Sequence, residues 1–146
     1  MINSIFDLIS LLIPSIIYLI SFAQFLKNNY TLINGILATS IFEKLFKYLT
    51  KNIDIFKRPL GAYNCDIFNC NGNVENNPGF PSGHVAVTSF FMNYLFFKSR
   101  LCISFYIFYC FPIYIVAISR IYKKCHNIEQ VIGGYLLGLA ISKHLT

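Results

Sequence analysis

Residues 77–84 read NPGFPSGH, and at this point a polar loop gives way to an apolar segment. Pro81 suits the first turn of a helix because it lacks the N–H group that a helix start leaves unpaired. A helix that begins here presents free backbone N–H groups and a partial positive charge. The stretch therefore predicts an anion site formed by the Gly83 backbone, the Ser82 hydroxyl and His84. Taken alone, however, these eight residues fit an ordinary loop-to-helix junction better than they fit an anion site.

The composition around this stretch is typical of a membrane protein. Of the 146 residues, 55% are hydrophobic and 12% are charged, and the mean hydropathy is +0.56. A soluble domain of this length does not need so much apolar sequence. We therefore expect a single domain, residues 1–146, with an all-α fold: an integral, multi-pass membrane bundle of about five transmembrane helices. The five predicted helices cover residues 5–26, 31–50, 84–98, 101–118 and 128–144.

The first apolar segment has two interpretations. As a helix, residues 5–26 would span about 33 Å, which is enough to cross the hydrocarbon core of a bilayer. A cleavable signal peptide is the alternative, because residues 21–23 resemble a cleavage site. No Lys or Arg precedes the segment and its apolar run is too long for a signal peptide, so we favour a membrane helix.

The charged residues favour an anionic partner. The formal net charge is +6, but the twelve Lys and Arg residues do not form a run of five or more like charges. Nucleic acid is therefore not an expected partner, whereas an anionic substrate or the surrounding membrane lipids are. On the second helix, Glu43 and Lys47 are placed for an i,i+4 ion pair. We interpret Lys44 and Lys47 as the solvated end of a helix that leaves the bilayer.

A long polar loop is predicted for residues 52–81, because turn-forming dipeptides recur along it. A loop of this length in so small a domain is usually functional. It contains two of the five cysteines, Cys65 and Cys70, which could pair in an oxidising compartment. The loop lacks the second cysteine pair or the histidines that would complete a zinc site with them. Free thiols are the default expectation for all the cysteines, which are Cys65, Cys70, Cys102, Cys110 and Cys125.

Three motifs lie at the ends of predicted helices. Lys51 is followed after six residues by Arg58 and a proline, residues 81–84 read PSGH, and Arg120 is followed after five residues by His126. Five membrane crossings would bring all three motifs to one side. Their order and spacing resemble the three-part signature of the type 2 phosphatidic acid phosphatase family, also called the lipid phosphate phosphatases.

The resemblance extends over residues 51–138, about 60% of the chain, and includes Gly134 and Gly138. It implies a metal-independent phosphatase without a cofactor, acting on a lipid phosphate or a prenyl pyrophosphate. In that family the histidine of the third motif becomes phosphohistidine and the histidine of the second motif protonates the leaving group. These positions are His126 and His84. The phosphate-binding positions are Lys51, Arg58, Ser82, Gly83 and Arg120.

The same residue types fit this chemistry independently of the family. Hydrolysis of a phosphate ester without a metal requires cations for the phosphoryl oxygens, a nucleophile and an acid for the leaving alkoxide. Arginine provides a planar fork that binds phosphate through two hydrogen bonds, and lysine provides a point charge. The two histidines supply the other two roles.

One position departs from the family pattern. Where the family has an aspartate that orients the nucleophilic histidine, this sequence has Gln130. On a helix, Gln130 lies over His126 at i+4, and its amide oxygen can accept the same hydrogen bond. It cannot supply a negative charge, and in a serine protease the equivalent change costs about four orders of magnitude.

Three functions are considered for a sequence with these residues. A membrane phosphatase is favoured, and a membrane protein that binds lipid phosphate without turnover is the alternative that Gln130 leaves open. A purely structural membrane protein leaves the matching arginines, lysine and histidines unexplained.

Overall fold

The computed structural model describes residues 5–65, 72–100 and 102–146. Within them the chain forms five α-helices and no β-strand, which confirms the all-α prediction. The helices are α1 (Ile5–Leu26), α2 (Thr31–Thr50), α3 (Gly83–Ser99), α4 (Tyr106–Tyr122) and α5 (Ile128–His144). The predicted bounds agree with the structure to within one residue for all of them except α4.

The helix α4 differs from the prediction at both ends. It begins after a short 3-10 turn, Ile103–Phe105, and continues through Ser119 and Arg120, which were predicted to form a polar junction. Both residues are buried, at 0% and 1% exposure. Their polarity therefore reflects packing around an internal polar site rather than the end of the helix, and the prediction of an end at residue 118 was wrong.

The helix α3 is the centre of the bundle, because it packs against all four of the other helices. Its apolar residues lie on several faces, as expected for a helix that is surrounded by others. Two hydrophobic clusters follow from this arrangement. One joins α1, α2 and α3 through Ile17, Leu32, Ile36, Val87, Phe90, Phe91 and Tyr94. The other joins α3, α4 and α5 through Val85, Ile113, Val116 and Val131.

Two glycines bring α5 into close contact with α3. A Cβ atom added to Gly134 would lie 2.5 Å from the Ser82 carbonyl oxygen, and one added to Gly138 would collide with the Ala86 carbonyl oxygen. The small-residue spacing in the sequence therefore permits a direct approach of helix to helix. This contact holds the first turn of α3 against α5.

The loop between α2 and α3 is mostly irregular, as predicted, with a 3-10 turn at Asp54–Phe56. An isolated antiparallel bridge joins Lys57 to Pro78. Next to it, the Arg58 N–H donates to the Asn77 carbonyl oxygen at 2.9 Å. The loop therefore folds back so that its first motif lies beside the stretch that opens α3.

The cysteines differ from the expectation. Cys65 and Cys125 form a disulfide across a sequence separation of 60 residues. The expectation of free thiols was therefore wrong for these two, and Cys65 is not paired with Cys70, which lies outside the described residues. The spacing gave no sign of this pair, because only the fold brings the loop to the end of α4. Cys102 and Cys110 are free, as expected.

Membrane crossing is supported by one segment. In the described part of the chain, Ile103–Tyr122 is the one helical segment that is long and apolar enough to cross a bilayer. The bundle of about five transmembrane helices stays a prediction.

Candidate active site

The structure brings together four of the predicted site residues at the N-terminal end of α3. Arg58 and Arg120 lie within electrostatic range of both His84 and His126. Three of the four are buried residues: Arg58 is 7% exposed, Arg120 1% and His126 3%. A cluster of buried cations and histidines is costly unless an anion completes it, so the arrangement is suited to binding a negatively charged group.

Two polar atoms at the start of α3 lack partners. The Ser82 hydroxyl and the His84 Nε2 atom are buried and form no hydrogen bond with any described residue. An unpartnered buried polar atom costs about 1–3 kcal/mol. These atoms lie on either side of Gly83, the first residue of α3. They mark the place where a ligand with hydrogen-bonding oxygens would recover that cost.

The turn after α4 positions the second histidine. The backbone N–H groups of Cys125 and His126 both donate to the Arg120 carbonyl oxygen, at 3.0 and 3.3 Å. The Arg120 guanidinium in turn donates through Nη2 to the Cys65 carbonyl oxygen at 2.5 Å. Because Cys65 is also bonded to Cys125, the loop, the arginine and the histidine are held as one unit.

Gln130 fixes the tautomer of His126. The Gln130 Nε2 group donates to the carbonyl oxygens of Phe56 and Lys57, at 3.1 and 2.8 Å. Its amide oxygen lies 2.9 Å from the His126 Nδ1 atom. These two hydrogen bonds fix the orientation of the amide, so that its oxygen faces His126. An amide oxygen can only accept, so Nδ1 carries the imidazole hydrogen. The Nε2 atom of His126 therefore keeps its lone pair.

The start of α5 also places the first motif. The side chain of Asn127 caps α5 by accepting from the Gln130 N–H at 3.0 Å, and it donates to the Ile55 carbonyl oxygen at 3.0 Å. Carbonyl groups from residues 55–57 thus dock on the start of α5, and Arg58 follows directly. Gly79 makes room for this contact, because a Cβ atom there would lie 2.6 Å from the amide oxygen of Gln130.

The two lysines at the end of α2 differ in position. The Lys51 side chain is exposed, with its ammonium 4.5 Å from the centre of the Tyr48 ring. Lys47 is partly buried, forms the expected ion pair with Glu43, and lies within electrostatic range of both histidines. The interpretation as a solvated helix end therefore fits Lys44, which is exposed, but not Lys47.

Comparison with known families agrees with this geometry. The family model of the PAP2 superfamily matches residues 29–146. The chain belongs to the PAP2 superfamily. Members of this superfamily are phosphatases, which supports a phosphatase-type hydrolase function for this PAP2 chain. No curated protein and no solved structure shows significant similarity to it. The match covers α2 to α5 and includes every predicted site residue.

The electrostatics of this PAP2 site favour a neutral His126. Burial, followed by the charges of Arg120, Arg58 and Lys47, holds the pKa of His126 well below its usual value, although the hydrogen bond to Gln130 acts in the opposite direction. His126 is therefore neutral at neutral pH, and a neutral imidazole has one ring nitrogen with a free lone pair.

Sequence reasoning missed three residues of the PAP2 site: Lys47, Gly79 and Asn127. Asn127 carried a usable signal, because asparagine before an apolar helix is a frequent N-cap. Gly79 and Lys47 carried none, since their roles depend on contacts across the fold. The described residues contain no group of three or more His, Cys, Asp or Glu side chains placed to hold a metal ion. The expected absence of a metal and of a cofactor stays a prediction.

Proposed function

We propose that the protein is a membrane phosphatase that hydrolyses a lipid phosphate or a prenyl pyrophosphate through a phosphohistidine at His126, without a metal ion. The observation that carries the proposal is a pair of buried atoms at the start of α3, the Ser82 hydroxyl and His84 Nε2, which have no hydrogen-bond partner among the described residues. They lie among the cations of a site whose second histidine presents a free lone pair. A phosphoryl group satisfies all of these groups at once.

The first step is attack of the His126 Nε2 lone pair on phosphorus. The negative charge of the bound phosphoryl group favours the protonated, imidazolium form of His84. The bond between phosphorus and the leaving oxygen breaks, and this imidazolium donates its proton to that oxygen and becomes neutral. Arg58 and Arg120 offset the charge on the phosphoryl oxygens, with neutral donors from Ser82 and the Gly83 amide. Lys51 belongs to this set by the resemblance and would act from the rim of the site.

The second step restores the enzyme. His84, now neutral, takes a proton from a water molecule, whose oxygen attacks the phosphohistidine. The bond between phosphorus and Nε2 breaks, inorganic phosphate forms, and His126 returns to its starting tautomer. The hydrogen bond from Nδ1 to Gln130 supports both steps, because it keeps Nε2 as the reacting atom throughout.

Large apolar side chains on the surface support the membrane location. Soluble proteins rarely expose extended apolar patches, yet many large apolar side chains of α1, α2 and α4 are more than half exposed. Examples are Leu19, Phe22, Ile41, Leu49, Ile107, Phe108 and Phe111. In a multi-pass bundle these side chains would contact lipid. The site lies at the helix ends, where a lipid headgroup can enter while its chain stays between helices.

The test is phosphate release by the detergent-purified protein, with phosphatidic acid and a prenyl pyrophosphate as substrates and a chelator present. We expect turnover in the wild type and none in His126→Ala, together with acid-labile phosphate on the wild-type protein. Turnover that survives in His126→Ala, or that requires an added metal ion, would contradict the mechanism. Phosphate binding without release from either substrate would indicate a lipid-phosphate binder instead.

A further inference from the structure

An ion pair on α2 lies directly against the start of α3. The carboxylate oxygen Oε1 of Glu43 would lie 3.0 Å from a Cβ atom added to Gly83. The ammonium of Lys47 is bonded to that same oxygen. Both side chains are largely shielded, at 13% exposure for Glu43 and 25% for Lys47. The lysine is therefore one contact away from the backbone that opens the anion site.

The aromatic packing confirms that this turn of α2 is level with the site. The ring of Phe46, between the two charged residues, meets the ring of Phe80 edge to face, with 6.4 Å between centroids. Lys51 lies one helical turn further along α2, where its ammonium rests over the Tyr48 ring and its side chain is exposed. Of the two lysines, Lys47 is the one at the depth of Ser82 and Gly83.

We infer that Lys47 binds the phosphoryl group directly, and that Glu43 holds its ammonium in place until the phosphoryl group arrives. The inference rests on the proposed function and assigns that site a cation which its sequence motifs do not include. The Ser82 hydroxyl, which is buried and has no hydrogen-bond partner among the described residues, is the independent sign that an oxygen-bearing ligand binds at the start of α3.

The Lys47 ammonium can move from the Glu43 carboxylate to the phosphoryl group because both groups offer anionic oxygens as acceptors. Before phosphate binds, Glu43 neutralises Lys47, which would otherwise repel Arg58 and Arg120. A phosphoryl dianion between the arginines attracts the ammonium more strongly than a single carboxylate does. It also repels Glu43, so binding includes a cost for separating the ion pair. Glu43 therefore lowers phosphate affinity, and Lys47 raises it.

The experiment measures binding of inorganic phosphate to the detergent-purified full chain, through the phosphate-dependent rise in melting temperature. Binding of this probe does not require turnover, so the inference can fail or succeed separately from the proposed hydrolysis. The variants are Lys47→Met, Lys47→Arg, Lys51→Met and Glu43→Gln. Lys44→Met is the matched control, because Lys44 is an exposed lysine on the same helix.

We expect Lys47→Met to weaken phosphate binding roughly 10- to 100-fold, the effect of losing one charged hydrogen bond. Lys47→Arg should retain most of the affinity, which also shows that loss in Lys47→Met is not misfolding. Glu43→Gln should bind phosphate up to about fivefold more tightly, the upper range for a partly exposed ion pair. Lys44→Met should match the wild type.

Two results would overturn the inference. One is a loss in Lys51→Met equal to or larger than the loss in Lys47→Met, which would place the lysine of the first motif on the phosphate instead. The other is weaker phosphate binding in Glu43→Gln, which would mean that the carboxylate supports the site rather than competing with the ligand. A steady-state KM that rises in Lys47→Met with little change in kcat would agree with the binding result.

Discussion

Replacing Gln130 by a carboxylate is expected to impair phosphate release, although the motif resemblance implies an aspartate at this position. In the structure the Gln130 amide donates to two backbone carbonyl oxygens, at 3.1 and 2.8 Å, while its oxygen accepts from His126. A glutamate has the same shape but no hydrogens to donate. Gln130→Glu would therefore place a negatively charged oxygen against the carbonyl oxygens of Phe56 and Lys57.

The size of the effect follows from those two contacts. Each buried carbonyl that loses its donor costs about 1–3 kcal/mol. The lower limit for two of them is about 2 kcal/mol, which corresponds to roughly a 30-fold loss if it falls on the reactive geometry. The negative charge would be attracted by Arg58 and Arg120, which returns part of this cost. We expect kcat in Gln130→Glu to fall at least tenfold and KM to rise by a smaller factor.

The assay is phosphate release with the wild type, Gln130→Glu, Gln130→Asp and the isosteric control Gln130→Met. The glutamate and methionine variants lose the same two donors, but only the glutamate adds a charge. A negative charge beside His126 raises the pKa of His126. The acid limb of the rate profile should therefore move to higher pH in Gln130→Glu and not in Gln130→Met. A carboxylate variant faster than the wild type would refute the reasoning, because it would mean that charge outweighs the two donor contacts.

Three further predictions concern the surroundings of this amide. Because the folded-state pKa of His126 lies below its usual value of about 6.5, the acid limb of the kcat/KM profile should lie below that pH. The stability that the neutral imidazole contributes is complete above pH 6.5 and is lost as the pH falls through the lowered pKa. An acid limb above pH 7 in the wild type would contradict this prediction. Cys125→Ser breaks the disulfide next to His126 and should lower stability by about 2–5 kcal/mol and reduce kcat, as measured by thermal unfolding and phosphate release, whereas Cys102→Ser, which removes an exposed free thiol, should change neither. Gly79→Ala puts a methyl group against the Gln130 amide and should lower kcat about tenfold through a displacement worth about 1.4 kcal/mol, with unchanged activity as the contrary result.

The helices could be predicted because their determinants are local. Apolar runs of about 20 residues bounded by asparagine, glycine and proline define α1, α2, α3 and α5 almost to the residue. The end of α4 depends on a tertiary contact instead. Arg120 reads as a polar terminus in the sequence, but its guanidinium reaches the Cys65 carbonyl oxygen 55 residues away, so the helix continues through it.

The site was predictable as a set of motifs but not as a set of contacts. The motifs identified Arg58, His84, Arg120 and His126, which the structure brings together. The Cys65–Cys125 disulfide and the depth of Lys47 were not predictable, because sequence spacing does not say which turn of α2 meets the start of α3. Lys47 and Lys51 lie on the same face one turn apart, and it takes the contacts of Phe46 with Phe80 and of Glu43 with Gly83 to show which of them is level with the site.

The role of Gln130 shows why a substitution cannot be judged by the residue it replaces. The loss of charge suggested impaired catalysis, on the assumption that the neighbours of this position are those of a carboxylate. The neighbours here are two acceptors, Phe56 and Lys57 carbonyl oxygens, and an amide is the group that can donate to both while still accepting from His126. Since Lys57 directly precedes Arg58, one amide orients His126, the proposed nucleophile, and also places Arg58, a proposed phosphate-binding cation. A change at Gln130 should therefore affect kcat and KM together, whereas a residue that only set the tautomer would affect kcat alone.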